Sequence, residues 1–310
     1  MEILAIHYSH MNSKKIDISG IISLLCASFI YGFFGILSRG IGVNQLPLYY
    51  TSGLRALFAG LLLSFLLLYI RAWKKINKKD LGIIALRGIC SVMSVIAFFV
   101  AVNYLPINTA YFILYAGATL GGYSLGSILF KEKLTLIKII ALLFSLVGLY
   151  FIYLFSLDAT KAIYIGFALI SGIATALWDI LPKKISHTYS SVQLSFLDNI
   201  IGGVFALLVS LLLREQWTIP SLTTAWELNA LFGSLFVATG LLIIYGFRRL
   251  DAQIGSLVML AEVLFAILLA FIFYGEIITP IIFVGGTLIL VGIILPKIKE
   301  LSVNRLEKMN

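Results

Sequence analysis

The chain has 310 residues, 61% of them apolar and only 12% charged, where a water-soluble domain is about 45–50% apolar and about a quarter charged. That balance leaves too little polar surface to cover a core in water and excludes a soluble fold. The formal charge of +9 lies in short clusters between apolar runs, with no basic face or nucleic-acid motif, which excludes a nucleic-acid binder.

The first apolar run, Ser19 to Leu37, follows Lys14 and Lys15 in the manner of a signal peptide. It is long and closes on no small-x-small cleavage site, so it is read as an uncleaved helix. Further apolar stretches follow, each near the length of about 20 residues that crosses a bilayer core as a helix. The predicted spans fall at 19–38, 48–70, 81–103, 107–130 and 134–155, then at 163–182, 190–213, 228–247, 254–274 and 279–297. With the N-terminus placed in the cytoplasm, seventeen lysines and arginines fall in segments on that side, around Lys14, Arg71–Lys79, Lys131–Lys133, Lys183–Lys184, Arg248–Arg249 and the tail from Lys297. Only Arg39, Lys161 and Arg214 fall on the other. Such a bias in short loops puts both termini inside and supports an even span count. Trp73, Trp217 and Trp226 stand at or beyond span ends, where amphipathic rings favour the headgroup level, and so does Tyr153. Cys26 and Cys90 fall within spans, which argues for core packing and against a disulfide framework.

Phe130-Lys131-Glu132-Lys133 and Tyr274-Gly275-Glu276-Ile277 each close an apolar helix, and the triplets Leu146-Val147-Gly148 and Leu290-Val291-Gly292 follow at equal distance. Both matches carry an offset of 144 residues, near half the chain, which predicts two copies of a five-helix unit. Because five is odd, the second copy starts from the opposite face. The expected fold is an all-α polytopic membrane protein of ten transmembrane helices in an inverted 5+5 repeat. Its divisions are a segment 1–18, a first unit 19–155, a linker 156–162, a second unit 163–297 and a tail 298–310. Two inverted halves around one site can exchange conformations, which is what a transporter needs.

These segments resemble EamA-type domains of the drug/metabolite transporter superfamily, over nearly all of 19–297 and most closely in 98–152 and 243–295. The resemblance implies alternating access and a cavity lined by the first four helices of each half, with the fifth packed outside. It implies a small-molecule substrate, of which amino acids, sugars, nucleotide derivatives and vitamins are examples. Family members often carry a proline midway along the fourth helix of each unit; Ala118-Thr119 and Glu262-Val263 stand there instead, and all six prolines are placed at span ends or in loops. Bending at glycines or rigid rocking is therefore expected in place of proline kinks.

Gly122-Tyr123-Ser124-Leu125-Gly126 has the form of a nucleophile elbow, but that motif needs a strand-to-helix turn and a histidine. Here it lies inside a span, and the glycines read as small-xxx-small pairs, Gly117/Gly121 and Gly122/Gly126, for close helix approach. No cofactor or metal motif is present.

An ionisable group inside a span costs about 2.5–3.5 kcal/mol near the bilayer centre, so each marks a candidate site. They are Arg55, Arg87, Asp179, Asp198 and Glu262, with Lys138 and Glu227 close enough to span ends to snorkel. Glu262 is the deepest, about 12 Å into its helix, and the resemblance commonly places an acid there. It is the candidate contact for a substrate amine or a coupling proton. Arg87, Asp179 and Asp198 fall in the cytoplasmic third, where one arginine can pair with one or both aspartates; Arg87 and Asp179 are assigned to a gate or structural ion pair. Asp198, Asn199, Arg55, Trp178, Tyr31, Tyr111 and Tyr115 are candidate substrate or coupling contacts, since aromatic walls with a few polar groups suit a small molecule. The expected function is secondary transport of a small, amino-acid-like or related metabolite, outward across the cell membrane. Protons or another ion are the expected coupling species, and the lipid bilayer the surrounding partner. A polytopic membrane enzyme, or a structural or channel-like membrane protein, is the alternative.

The charge bias predicts topology. In a chain lacking Cys26 and Cys90, an impermeant maleimide outside intact cells should label a cysteine at Ser221 and leave one at Asn77 unlabelled. Equal labelling of both would overturn the orientation.

Overall fold

A computed structural model describes residues 17–42, 46–154 and 157–307; Lys14, Lys15 and Lys308 of the charge pattern lie outside the described residues. Hydrocarbon offers backbone groups no partner, so apolar runs satisfy their own N–H and C=O groups as helices. They are α1 (Ile18–Gly42), α2 (Leu48–Tyr69), α3 (Leu81–Tyr104), α4 (Ile107–Phe130), α5 (Leu136–Tyr153), α6 (Ala162–Ile180), α7 (Ser191–Leu212) and α8 (Thr224–Arg249), then α9 in two pieces, α9a (Ala252–Met259) and α9b (Ala261–Tyr274), and α10 (Pro280–Glu307). Among the described residues ten helical stretches are long and apolar enough to cross a membrane.

The halves pack reciprocally. α2 lies against α7 and α5 against α10; α3 and α4 lie against α6 as α8 and α9 lie against α1. Exchanging each helix with the one five places along maps this arrangement onto itself. Atomic contacts obey the same exchange: a Cβ added at Gly148 would stand 2.6 Å from the Gly285 carbonyl, and one at Gly292 would stand 2.7 Å from the Ala141 carbonyl. Those two contacts are related by the 144-residue offset. The glutamate turns are equivalent as well. α4 ends on Lys131 in the left-handed region (φ 54°), with the Glu132 N–H donating to the Gly126 carbonyl at 3.1 Å. α9b ends on Gly275 (φ 67°), with the Glu276 N–H donating to the Ala270 carbonyl at 3.4 Å. Both bonds run back six positions across a residue in the left-handed region and satisfy an orphan carbonyl at the helix end. An odd number of crossings per half makes the copies antiparallel, so the relating axis lies in the membrane plane.

The small-residue pairs of α4 serve two neighbours. Gly117 and Gly121 meet Gly172 and Ala176 of α6, while Gly122 and Gly126 meet Ser256 and Gln253 of α9a. At the lysine-rich face, Arg249 at the end of α8 bonds Asp17 at the start of α1 at 2.9 Å. Hydrogen bonding from Ser19, joined by Arg249, holds the Asp17 carboxyl down to about 2.

Three expectations need correction. α9 is broken rather than continuous: the Leu260 N–H turns back to the Leu257 carbonyl and the Val263 N–H to the Leu260 carbonyl, both at 3.1 Å, the tighter spacing of a 3₁₀ turn. Neither proline nor glycine stands at the break. The Ser256 hydroxyl donates to the Gln253 carbonyl at 3.0 Å just before it, and back-bonding of this kind bends helices. Cys26 is exposed on the outside of the bundle, whereas Cys90 is buried. Lys138 does not snorkel to water; its ammonium is buried against Asp251 at 2.9 Å and the Gln253 side-chain oxygen at 2.7 Å.

The α5–α10 contact gives a stability prediction. Gly148→Ala should destabilise the detergent-solubilised protein by about 1–3 kcal/mol through overpacking, against a helix-propensity gain of about 1 kcal/mol. Gly166→Ala, where a Cβ meets nothing within 4 Å, should leave the melting temperature level or raise it. Similar melting curves for the two variants would refute the tight crossing.

Candidate functional site

A charge held in the apolar middle of a bundle needs partners supplied by the chain. Arg87 enters from α3 and is 3% exposed. Its Nε donates to the Trp178 carbonyl at 3.1 Å and its Nη1 to the Leu194 carbonyl at 3.2 Å, while Nη1 also lies 3.3 Å from Asp198 Oδ2. The same oxygen accepts the Trp178 indole N–H at 2.7 Å. The pairing of Arg87 with Asp179 is therefore corrected: the ion pair is Arg87–Asp198. Helix α6 is the reason. Leu181 keeps helical dihedrals and Pro182 opens a further helical turn, Pro182–Ile185, so the span runs on beyond Ile180. Asp179 is thereby drawn inward, about 9 Å from the end at 1.5 Å per residue, and its Oδ1 is buried with no hydrogen-bond partner among the described residues.

Asp179 opens instead on a cavity of about 290 Å³ between the halves. Tyr31 comes from α1, Tyr111 and Tyr115 from α4, Trp178 and Asp179 from α6, and Glu262 from the first turn of α9b. Glu262 has a partner: its Oε1 accepts the Tyr115 hydroxyl at 3.0 Å. The break at Leu260 positions it, because the tight turn starts a new helix at Ala261 and puts Glu262 at the rim. The carbonyl of Met259 that the break frees lies 3.4 Å from the Ser28 hydroxyl.

A smaller chamber of about 110 Å³ adjoins the first and shares Trp178, Ser94 and Val95 with it. Arg55, Asp198 and Asn199 line it. Arg55 does not run to the helix end. Its guanidinium lies 3.9 Å above the Phe232 ring and 5.6 Å from that of Phe236, and Nη2 meets the Ser52 hydroxyl at 3.1 Å. Among the described residues it has no carboxylate partner. The Asn199 amide donates to the Ser195 carbonyl of its own helix at 2.8 Å. Of the candidate substrate, coupling and gate residues named from the sequence, all but Arg87 line one chamber or the other.

Sequence reasoning missed three features. Tyr153 stands at a span end and reads as a headgroup anchor, yet its ring stacks on Tyr111 and Tyr115 at 6.1 and 6.2 Å. Through it the fifth helix, placed outside by the resemblance, reaches the cavity wall. Glu132, noted only as a repeat marker, crosses to the other half. It accepts the Lys183 ammonium at 2.7 Å and the backbone N–H groups of Ala252 and Gln253 at 2.8 and 3.2 Å, capping α9a with a carboxylate where the helix dipole favours one. At the opposite face Glu215 does the same for α2, accepting from the Tyr49 and Tyr50 N–H groups at 3.1 and 2.8 Å. No pattern in the sequence announces contacts between residues 120 and 166 positions apart. Among the described residues no group of three or more His, Cys, Asp or Glu side chains is arranged to hold a metal.

The EamA-like transporter family matches the chain twice, over residues 18–154 and 162–296. A solved crystal structure of a protein 14% identical in sequence superposes with a TM-score of 0.76, covering 89% of this chain and 97% of that one. At that identity the likeness establishes the fold alone. No curated protein matches the chain.

The Arg87–Asp198 pair makes its own prediction. Asp198→Ala should cost about 3–5 kcal/mol by stranding a buried guanidinium. Arg87→Met combined with Asp198→Ala should cost clearly less than the two single changes added together. Additive melting shifts in this double-mutant cycle would mean that the pair is not coupled.

Proposed function

The chain belongs to the EamA-like transporter family, and on that premise we propose that it carries a small organic metabolite outward across the cell membrane by alternating access. The observation that carries this reading is the 290 Å³ cavity between the two halves, walled by tyrosine and tryptophan rings and bearing Asp179 and Glu262. A pocket of that size, mostly apolar with a few convergent polar groups, suits a small metabolite. Its position between inverted units, here 19–155 and 163–297, suits a site reached from either side in turn.

The bonds at the two faces support the exchange. At the lysine-rich face, which we assign to the cytoplasm, Glu132 and Lys138 of the first half hold Lys183, Asp251 and Gln253 of the second. These contacts would have to part for the cavity to open there. At the other face, Glu215 on the α2 N-terminus and Tyr50 stacked on Trp217 at 5.0 Å would have to part for the opposite opening. The transporter character of the family supports a carrier over a membrane enzyme.

Within this cycle Glu262 contacts the substrate's amine or exchanges the coupling proton. Its hydrogen bond to Tyr115 holds the carboxyl at the cavity edge, so rocking of α4 against α9b changes its surroundings directly. A titratable group whose hydration changes between two states couples proton exchange to their interconversion.

Glu262→Gln keeps the shape and removes the titration. In proteoliposomes it should insert and fold normally, while substrate counterflow is abolished or loses its dependence on pH. A variant with the parent's rate and pH profile would make Glu262 a structural hydrogen-bonder. Absence of counterflow by the unaltered protein, for every metabolite in a broad panel, would sink the transport reading itself.

A further inference from the structure

We propose that the chamber around Arg55 is an anion subsite, and that the ligand class is dipolar: small organic molecules with a carboxylate at one end and an ammonium group at the other. The proposal rests on the transport reading only for where the ligand goes afterwards.

The observation behind it is a separation of charge between two adjoining chambers. In the smaller, the ionisable groups are Tyr49, Arg55 and Asp198. Asp198 is neutralised by Arg87 at 3.3 Å and further occupied by the Trp178 indole at 2.7 Å, although its second oxygen, Oδ1, is unpartnered. Arg55 has no such neutralisation. The phenyl faces of Phe232 and Phe236 fix the plane of the guanidinium by a cation–π contact that leaves its charge in place. The Ser52 hydroxyl occupies one nitrogen. The remaining N–H groups form the planar fork that matches a carboxylate in two parallel hydrogen bonds. With Asp198 neutralised by Arg87, which lies outside the chamber lining, Arg55 leaves one formal positive charge there.

The larger chamber has the reverse balance. Asp179 and Glu262 line it, no basic side chain does, and the only side-chain hydrogen bonds these two acids make among the described residues reduce to the one from Tyr115. Trp178, Ser94 and Val95 belong to both chambers, so a ligand lying past Trp178 has its anionic end over Arg55 and its ammonium facing the acids. The stacked rings of Tyr111 and Tyr115 would lie along its apolar body. A molecule with one charge only would leave either the Arg55 side or the acidic side wholly unanswered, which is how a polar site rejects a near-analogue.

Binding, not transport, is the test, so its failure can be told apart from failure of the carrier reading. Thermal stabilisation of the purified protein in detergent is measured with phenylalanine and with lysine, each beside its carboxamide, which keeps the ammonium and removes the negative charge. The unaltered protein should bind at least one of the acids about tenfold more tightly than its amide, the expected scale for a charge-assisted bidentate contact. In Arg55→Gln that preference should collapse while binding of the amide is retained. Arg55→Lys, which keeps the charge without the fork, should show an intermediate preference and remains informative where the glutamine variant fails to fold. The proposal is overturned if neither acid outbinds its amide in the unaltered protein, or if the preference survives in Arg55→Gln. A protein that passes this test but shows no counterflow would keep the subsite and lose the carrier.

Discussion

The ion pair between Arg87 and Asp198 sets the electrostatics of the whole centre. A bundle surrounded by hydrocarbon can hold a guanidinium only if the chain brings acceptors to it, and two helices do so: α6 through the Trp178 carbonyl, and α7 through the Leu194 carbonyl and the Asp198 carboxylate. One charge is thus spent on architecture, fixing α3 to α6 and α7 and orienting the Trp178 indole. What remains uncompensated is distributed around that indole. Arg55 stands on one side; Asp179 and Glu262 stand on the other. Those three side chains line the two chambers, whereas the Arg87 guanidinium does not.

Carboxylates also join the halves at the membrane faces. Glu132 closes on the first N–H groups of α9a, and Glu215 on those of α2. Each takes two of the four unpaired donors and meets the positive dipole end that every helix start presents. The cap comes from the opposite half in both cases, so motion of one half against the other must break a helix cap. Bonds of this type are directional and partly exposed to water at the faces. They can therefore be exchanged for water without the large penalty of exposing a pair at the centre. That difference in environment separates residues suited to gating from residues suited to permanent cross-linking.

Helix α9 departs from its counterpart α4, which is unbroken over the same stretch. Where the two repeats agree, in the glutamate turns and the glycine contacts of α5 and α10, the shared sequence explains the shared geometry. Where they differ, at Leu260, the difference is what places Glu262 at the rim of the cavity. A broken helix at membrane depth is tolerated only where protein or a cavity surrounds it, and both conditions hold here: Leu260 is buried, and Leu260 and Glu262 line the same space.

Composition, the spacing of apolar runs and the 144-residue echo were enough to determine ten helices and their inverted pairing, because hydrocarbon permits so few backbone solutions. The same reasoning singled out the ionisable residues that line the two chambers, since a charge inside a span is rare and costly wherever it points. Direction of pointing is what it could not supply. Asp179 and Asp198 both fall in the cytoplasmic third of their predicted spans, and only the packing of α3 against α7, with α6 prolonged through Pro182, decides which one meets Arg87. Lys138 and Tyr153 read as residues that reach for water or headgroups, and neighbouring helices draw both inward instead. The break at Leu260 carries no proline or glycine to announce it. Helical periodicity and span length are local properties of the chain and are written in it directly, whereas the partner of a buried charge belongs to another helix more than 50 residues away and is chosen only when the two halves pack.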